Sequence, residues 1–453
     1  MLTSRSTPSG VLSAVLDGIH RRLQLSDFLR RLAAAKQPLS DLIAEAVGSP
    51  AEALAISVKI LNLCLARYHF VSRSPQVLSR PLGLVVDPIN NCNLACPGCV
   101  HSARSVTEKL FQWNSGMLSE ARFEALLARC GPWALEIMLC NYGEPLMNPL
   151  TPRFVHLAKS YLMRTGLSTN MTVRRFDAHA YVDSGLDFMT VSLDGATQEV
   201  YAKYRRKGDL EAAFANIRAL ISARAAAGRP TPIVSWQFLA FEHNAHEIDL
   251  AMRIARALGI DQFVVATPFD VSWDDPNIHP AAGVEPRVIQ FAGKSDERLV
   301  ANWMPHPGDF RAAELDRALN EPLRATWPEE RSTAAHACHW LYKNMVMDAN
   351  GRIIPCCAAP KAEADLVFDS FTETEPADPF NSVKYRLARA AFSNPATYSH
   401  KKSQAAIDGD PHCVNCEWNQ EIAHTDSAQV AQYLRTIPGA PFDAESIQLL
   451  ADW

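Results

Sequence analysis

The sequence predicts an α/β fold in which six strand–helix units form an incomplete barrel. Between residues 82 and 268, short apolar runs bounded by turn residues alternate with longer stretches of helical periodicity. This alternation is typical of parallel βα units, in which a helix connects each strand to the next. Polar residues follow several of the apolar runs, at the strand ends where such barrels place their reacting groups.

Six strands and five helices are predicted from these runs. The strands are Leu82–Asp87, Leu135–Cys140, Arg164–Ser168, Phe188–Leu193, Ile233–Ala240 and Gln262–Thr267. The helices are Ser119–Cys130, Pro152–Tyr161, Thr197–Arg206, Leu210–Ala227 and His246–Leu258. Gly259 follows the last of these helices, at a position where glycine commonly ends a helix.

Five segments are expected along the chain. Residues 1–78 form an N-terminal helical segment, because apolar residues such as Leu12, Leu16 and Ile19 recur at helical spacing. The other segments are the barrel at 79–268, a connection rich in proline and tryptophan at 269–335, a small C-terminal cysteine-rich domain at 336–420 and a helical tail at 421–453.

The composition is that of a globular protein and excludes two kinds of partner. The chain has 453 residues, 48% of them hydrophobic, and a formal net charge of −5 without a long basic run, so nucleic acid is not expected. The most apolar N-terminal window, residues 51–70, contains Glu52, Lys59 and Arg67 and is too charged to span a bilayer. No signal-peptide pattern opens the chain.

The cysteines indicate a metal protein in a reducing compartment. There are 11 of them, an odd number, and most cluster with the spacing of metal ligands. Disulfides are rare in reducing compartments, where free thiols are available to metals. The cytoplasm is therefore the expected location.

Cys92, Cys96 and Cys99 form the most informative motif, with the spacing C-x3-C-x2-C directly after the first predicted strand. Three thiolates on one loop can hold three irons of a cubane [4Fe–4S] cluster, which normally has four thiolate ligands. One iron is then open to a non-protein ligand. The alternatives are a zinc site, although zinc cysteines usually occur in two pairs, or a cluster closed by the nearby His101.

This motif resembles that of the radical S-adenosylmethionine (SAM) superfamily. The resemblance implies a partial (β/α)6 TIM-like barrel in which the amino and carboxylate groups of SAM chelate the open iron. It further implies that one-electron reduction cleaves SAM to a 5′-deoxyadenosyl radical, which abstracts hydrogen from a substrate. The cofactor supplies the difficult chemistry and the protein supplies position and protection from water. A flavodoxin or ferredoxin-type protein is the expected reductant.

The second strand runs into Asn141-Tyr142-Gly143-Glu144-Pro145. This stretch resembles the G-G-E-P motif of the superfamily, with Tyr142 in place of the first glycine. The resemblance implies that Gly143 and Glu144 hold the amino group of SAM. Gly143 retains the close backbone approach that a small residue permits. The alternative is an ordinary Gly-Pro turn.

Polar residues also follow the third and fourth strands. Ser168 and Asn170 end the third strand, and the resemblance places such residues near the ribose of SAM. Ser-Thr-Asn is also ordinary turn chemistry. Ser192 and Asp194 belong to a stretch that resembles the S-x-D-G motif of the superfamily, near the cofactor and the substrate.

Arg205 and Gln237 complete the predicted cofactor site. The planar guanidinium of Arg205 can pair bidentately with a carboxylate such as that of SAM, or it can be a solvated residue at a helix end. Gln237 lies in the fifth strand, with Asn244 just beyond it, where relatives carry side chains near the adenosine.

A second group of cysteines, Cys338, Cys356, Cys413 and Cys416, lies near the C-terminus. The first two flank a predicted hairpin, whose strands Asn344–Met347 and Arg352–Ile354 are joined by the turn residues 348–351. Four cysteines can enclose a fully ligated cluster, and they suit zinc equally well.

The spacing C-x12-G-x4-C from Cys338 to Cys356 resembles the opening of the SPASM and twitch domains that follow many radical SAM barrels. Tyr385 and Arg389 occur in a stretch similar to the helix of those domains. Cys416 is the last cysteine, so the shorter twitch form with one auxiliary [4Fe–4S] cluster is the better match. Cys357 lies next to Cys356 but does not fit the ligand spacing, and it is either a packing residue or a replacement ligand. Cys357 and Cys140, at the end of the second strand, have a further possible role. They are candidate hydrogen donors to a substrate radical, or structural thiols.

The resemblance implies a radical enzyme that acts by dehydrogenation, epimerisation or peptide cross-linking. No β-rich leader-binding pattern is visible in the N-terminal segment, which favours a carbohydrate-like small molecule over a peptide. A ribosomal-peptide maturase of the same superfamily is one alternative. A non-catalytic iron–sulfur or zinc protein is the other, and polar motifs after four strands argue against it because an electron carrier needs no adenosine pocket.

Overall fold

The computed structural model describes the barrel region and parts of the C-terminal region. The described residues are 55, 58, 59, 62, 66, 69, 70, 74–102, 115–268, 275–291, 338, 340–357, 367–374, 378–393 and 413, without the side chains of 392 and 393. Most of the predicted N-terminal helices, most of 269–335, Cys416 and the tail at 421–453 lie outside them. The described residues from 55 to 70 are helical.

The described strands all belong to one sheet. They are β1 (Gly83–Val86), β2 (Glu136–Met138), β3 (Arg164–Thr169), β4 (Phe188–Ser192), β5 (Ile233–Leu239), β6 (Gln262–Ala266), β7 (Arg287–Gln290), β8 (Asn344–Met347), β9 (Arg352–Ile354) and β10 (Asp369–Ser370). The six predicted barrel strands are confirmed to within two residues at each end. Both hairpin strands are confirmed at the predicted residues.

The described helices from residue 120 onward connect the barrel strands or lie before and after the hairpin. They are α1 (Glu120–Cys130), α2 (Thr151–Ser160), α3 (Ala178–Asp183), α4 (Gln198–Tyr204), α5 (Leu210–Ala226), α6 (Ile248–Leu258), α7 (Trp340–Lys343) and α8 (Val383–Ser393). Side chains of Ser119, Asp177, Thr197 and Asp209 cap the first turns of α1, α3, α4 and α5. No helix among the described residues is long and apolar enough to cross a bilayer.

The sheet confirms the predicted α/β fold with parallel strands. Its order is β10-β9-β8-β1-β2-β3-β4-β5-β6-β7, and β1 to β6 are parallel in sequence order. Helices cover the face that carries Leu84, Ile137 and Leu167, which form the main core with helical residues such as Phe123 and Phe154. We call the other face, which carries Val85, Met138, Val346 and Ile354, the inner face.

Two strands extend the sheet beyond the prediction. β8, in the C-terminal cysteine-rich segment, pairs in parallel with β1, so the hairpin continues the barrel sheet. Its four residues are all buried, because it lies between β1 and β9. β7, in the segment predicted as a connection, pairs antiparallel with β6 at the sheet edge. Half of its residues are exposed, which explains why no apolar run revealed it.

Arg389 connects three segments that are distant in sequence. Its buried guanidinium donates hydrogen bonds to the carbonyl oxygens of Leu341 (2.8 Å), Phe380 (2.8 Å) and Pro75 (3.3 Å) and to Oδ1 of Asn381 (3.2 Å). Aromatic rings of Tyr342, Phe380 and Tyr385 lie within 5.5 Å of it. α8 is thereby fixed against α7 and the segment before β1.

We expect Arg389→Ala to lower the free energy of unfolding by about 3 kcal/mol or more, because it removes a buried charge and leaves several buried carbonyl groups without donors. The matched control is Arg153→Ala, since Arg153 forms an exposed ion pair with Glu120 and should contribute less than about 1 kcal/mol. Urea denaturation of the apoproteins measures both. Equal losses for the two variants would contradict an anchoring role for Arg389.

Candidate functional site

The three cysteines of the first motif lie together in an apolar cluster beyond β1. Cys96 is buried with Leu94, Tyr204, Phe241 and Ile278, and Cys92 and Cys99 pack against this group. The loop is closed by a hydrogen bond from the Cys99 N–H to the Cys96 carbonyl (3.1 Å), and Gly98 has a positive φ of 74° that favours glycine. The sequence thus places three thiols on one loop that packs against apolar side chains.

This donor set fits an iron–sulfur cluster. Burial raises the pKa of Cys92 and of Cys96 to about 12, so neither thiol ionises at neutral pH without a positive charge beside it. Metal binding supplies such a charge and deprotonates coordinating thiols. Sulfur ligands select soft metals and iron–sulfur clusters. Cys92 and Cys96 are therefore expected to ionise when they bind a metal.

Among the described residues, no three His, Cys, Asp or Glu side chains form a group that could hold one metal ion. A cubane is wider than one ion, so its thiolates lie farther apart than the ligands of a zinc site. His101, the alternative fourth ligand, has Nε2 2.8 Å from the carbonyl oxygen of Tyr142. This contact engages one of its two ring nitrogens with the backbone.

A buried aspartate that the sequence analysis missed holds the Asn141–Gly143 loop. Asp87 ends the first apolar run, and its carboxylate accepts hydrogen bonds from the backbone N–H groups of Asn141 (2.7 Å), Tyr142 (2.9 Å) and Gly143 (3.1 Å). Burial raises its pKa to about 7, although the three N–H donors oppose this shift. The sequence did contain a signal for this residue. Asp87 is an acidic residue at the end of an apolar run, five residues before Cys92.

Gly143 packs directly on the turn that follows β1. A Cβ at this position would lie 1.6 Å from the carbonyl oxygen of Ile89, so no other residue fits without moving the backbone. The next N–H group, of Glu144, donates to the carbonyl oxygen of Asn91 (2.8 Å). The predicted glycine requirement therefore has a steric cause, the close approach of two backbones beside Cys92.

Glu144 is buried and already has three protein partners. Its Oε1 accepts hydrogen bonds from Oγ1 of Thr169 (2.6 Å) and the N–H of Leu146 (3.0 Å), and its Oε2 accepts from the N–H of Asn170 (2.8 Å). Burial raises its pKa. The carboxylate therefore ties the loop after β2 to the end of β3, in addition to any ligand that it binds.

Asn170 contacts the cysteine loop directly. Its Nδ2 lies 2.9 Å from Oδ1 of Asn93 and 3.6 Å from Sγ of Cys92. Asn93 in turn donates to the hydroxyl of Thr172 (3.0 Å). The predicted ribose-binding residue is thus placed beside the first cysteine, through the turn that follows β3.

Ser168, Ser192 and Gln237 form a polar row on adjacent strands. The hydroxyl oxygens of Ser168 and Ser192 are 3.3 Å apart, and Ser192 pairs in register with Gln237. Trp236 and Phe238 belong to the helix-covered core, so Gln237 between them points to the inner face. Its Oε1 is buried and has no hydrogen-bond partner among the described residues. This row presents hydroxyl and amide groups to the inner face.

Asp194 and Arg205 form a buried ion pair. The carboxylate of Asp194 accepts from Nε of Arg205 (2.5 Å) and from the N–H of Leu239 (2.7 Å). Arg205 also lies close enough to Cys96 to oppose the burial that raises its pKa. Arg205 is therefore not the solvated side chain of the alternative interpretation. Asn244 has a structural role, since its Nδ2 donates to the carbonyl oxygens of Asp194 (3.0 Å) and Leu239 (2.9 Å).

The second cysteine group lies near two tyrosines, Tyr385 and Tyr142. Burial raises the pKa of Tyr385, Arg389 opposes this shift, and the nearby Cys413, Cys356 and Cys338 add to it. Cys416, the fourth predicted ligand, lies outside the described residues. Tyr142 packs against the inner-face cluster together with Cys338 and Cys356.

Cys140 and Cys357, the candidate hydrogen donors, belong to the same inner-face cluster. Burial raises the pKa of Cys357 to about 11 and raises that of Cys140 as well. Both thiols therefore keep their S–H hydrogens at neutral pH. The structure brings together two residues that are 217 positions apart (357 − 140).

The structure is that of an α/β protein with a parallel sheet. Three thiols lie on the loop after β1, and polar residues follow β2, β3 and β4. Residues 86–226 match the Radical SAM superfamily. This segment, which includes the three-cysteine loop and the residues after β2, β3 and β4, is a Radical SAM domain, and that family implies a [4Fe–4S] cluster and SAM as cofactors.

Two curated relatives are similar over part of their length. GTP 3′,8-cyclase of Chlorobaculum tepidum is 28% identical over 143 residues, which are 30% of this chain and 41% of the relative. Fe-coproporphyrin III synthase of Methanosarcina barkeri is 31% identical over 125 residues, which are 27% of this chain and 30% of the relative. The aligned region thus spans less than half of either relative.

Among solved structures, Streptococcus suis SuiB bound to S-adenosylmethionine is similar at 14% identity and a TM-score of 0.45, over 89% of this chain and 82% of that chain. BtrN in complex with AdoMet and 2-DOIA is similar at 15% identity and a TM-score of 0.36, over 74% of this chain and 93% of that chain. Similarity at this level shows neither a shared substrate nor a shared reaction.

We expect Glu144→Gln to destabilise the apoprotein by about 1–3 kcal/mol, because the amide nitrogen then faces a donor that the carboxylate accepted from. Urea denaturation measures this loss. Glu120→Gln is the matched control, since Glu120 is partly exposed in its pair with Arg153. An apoprotein of wild-type stability would show that Glu144 serves the cofactor alone.

Proposed function

We propose that this chain is a radical SAM enzyme that carries a [4Fe–4S] cluster on Cys92, Cys96 and Cys99. The observation that carries this proposal is the group of three thiols on one loop after β1, in which Cys96 is buried and Asn170 lies beside Cys92. The cluster with SAM supplies a 5′-deoxyadenosyl radical when it is reduced. A flavodoxin or ferredoxin-type protein is the proposed reductant.

The chain's own residues bind and orient the cofactor. Gly143 and Glu144 offer the backbone and the acid for the amino group, and the guanidinium nitrogens of Arg205 that Asp194 leaves available suit the carboxylate. Ser168, Asn170, Ser192 and Gln237 offer polar groups for the ribose and adenine. Leu94, Tyr204, Phe241 and Ile278 exclude water from the cluster side, which limits quenching of a radical.

The proposed reaction is oxidation (dehydrogenation) or epimerisation of a carbohydrate-like small molecule. Two features of the inner face support it. The row of Ser168, Ser192 and Gln237 presents hydroxyl and amide groups that suit a polyhydroxylated ligand, and the buried Oε1 of Gln237 lacks a partner. On the other side, Cys140 and Cys357 offer S–H groups for return of a hydrogen atom.

A second [4Fe–4S] cluster is proposed at Cys338, Cys356, Cys413 and Cys416, in a SPASM/twitch-like domain. Three of these cysteines lie near Tyr385, and this sulfur donor set suits an iron–sulfur cluster or zinc. An auxiliary cluster would accept an electron from the substrate radical, which distinguishes oxidation from epimerisation.

The first test is iron per chain after anaerobic reconstitution, for the wild type and for a variant with Cys92, Cys96 and Cys99 all replaced by alanine. We expect about eight irons to fall to about four, since each site holds one [4Fe–4S] cluster. About four falling to none, with zinc retained, would remove the auxiliary cluster and the case for a two-electron oxidation.

The second measurement is 5′-deoxyadenosine formed from SAM with dithionite as reductant. Cys92→Ala should abolish it and leave the iron of the second site in place. Cys130→Ala is a matched control, because Cys130 is a buried thiol of the helix-covered core. Normal 5′-deoxyadenosine formation by Cys92→Ala would refute the radical assignment and favour a non-catalytic metal protein.

A further inference from the structure

The Asn141–Gly143 loop lies between the two cysteine groups. On one side, the carbonyl oxygen of Tyr142 lies 2.8 Å from Nε2 of His101, two residues beyond Cys99. On the other side, the Tyr142 ring packs on the inner-face cluster beside Cys356 and Cys357. One residue of this loop therefore contacts the neighbourhoods of both groups.

The conformation of the Asn141–Gly143 loop depends on Asp87. Three consecutive N–H groups, of Asn141, Tyr142 and Gly143, converge on one buried carboxylate, within 3.1 Å. An ionised carboxylate is an acceptor only and can satisfy all three donors at once. Without it, three backbone donors in a buried setting would have no acceptor, and the loop would have to move to find water.

Asp87 also fixes this loop relative to the second cysteine group. Its own N–H donates to the carbonyl oxygen of Met347 (2.9 Å), the last residue of β8. Three residues further on, Oδ1 of Asn90 accepts from the N–H of Ala349 (2.9 Å) in the hairpin turn. The turn after β1 thus binds the hairpin on one side and the Asn141–Gly143 loop on the other.

We propose that Asp87 is a positioning residue for SAM binding, which acts by holding the Asn141–Gly143 loop in the conformation that places Gly143 and Glu144 beside Cys92. This inference rests on the proposed function, since it assumes that SAM binds at this loop. In this proposal Asp87 acts through the loop and does not itself bind SAM. Its carboxylate faces backbone N–H groups, whereas Gly143 and Glu144 face the turn that leads to Cys92.

The experiment measures SAM affinity by equilibrium dialysis on anaerobically reconstituted full-length protein, together with iron per chain. Asp87→Ala should weaken SAM binding at least tenfold while iron per chain stays within a fifth of the wild-type value. Asp87→Asn should lose about threefold, because an amide oxygen in the place of Oδ1 still accepts from all three donors, whereas the amide nitrogen replaces Oδ2, which also accepts from the N–H of Tyr142 (3.1 Å). The change in the electron paramagnetic resonance spectrum of the reduced cluster on SAM addition should be small in Asp87→Ala and restored in Asp87→Asn.

Asp348→Asn is the matched control. Asp348 is also a buried carboxylate that accepts backbone N–H groups, from Asn350 and Arg352, but it lies in the hairpin turn. The SAM affinity of the Asp348→Asn variant should stay within twofold of the wild type, whatever the thermal stability of the variant.

Two results would overturn the proposal in distinguishable ways. Wild-type SAM affinity in Asp87→Ala, with or without lower thermal stability, would show that Asp87 is structural only. Loss of iron in both Asp87 variants would show that Asp87 acts on the cysteine loop and not on the cofactor loop. Failure of the wild type itself to bind SAM would instead refute the proposed function, and this inference with it.

Discussion

The buried carboxylate of Asp87 is the constraint on which the site depends. It lies where β1 ends, and it accepts three consecutive backbone N–H groups from the loop after β2. Parallel strands bring their carboxyl ends to the same edge of a sheet, but sheet pairing alone leaves the following loops without a fixed conformation. A buried carboxyl group that accepts from three donors supplies that conformation at one point.

Backbone packing extends this constraint to the cysteine loop. Gly143 approaches the carbonyl oxygen of Ile89 so closely that a side chain would not fit, and the N–H of Glu144 donates to Asn91 next to Cys92. Glu144 then connects the same loop to Thr169 and Asn170 at the end of β3. Three strand ends are thereby linked by short hydrogen bonds around the first cysteine.

The inner face of the sheet has an apolar side that contains sulfur and a side that is polar. The side formed by β8, β1 and β2 carries apolar residues and sulfur, including Cys140 and Cys357. The side formed by β3, β4 and β5 carries hydroxyl and amide groups, including Ser192 and Gln237. A ligand between the two sides meets hydrogen-bonding groups on one and thiols with raised pKa values on the other. This separation is the physical basis for proposing a polar substrate that is attacked at a C–H bond.

The sequence by itself determined the six barrel strands, the hairpin and the candidate metal ligands. The periodicity of apolar residues and the spacing of cysteines are local properties of a sequence. They could therefore be interpreted without tertiary contacts, for the strands β1 to β6, the hairpin around Gly351 and the motif of Cys92, Cys96 and Cys99. The same local signals placed Gly143, Glu144, Ser168 and Asn170 at strand ends, where the structure has them.

Only the tertiary structure decided which of these groups meet. The pairing of β8 with β1 joins residues more than 250 positions apart (344 − 83 = 261), and nothing in a buried apolar run specifies its neighbour. Arg205 looked equally suited to solvent or to a ligand, and its pairing with Asp194 emerged only from the packing of α4 against the sheet end. Asp87 gave a weak signal because its three partners are backbone N–H groups, which every sequence carries.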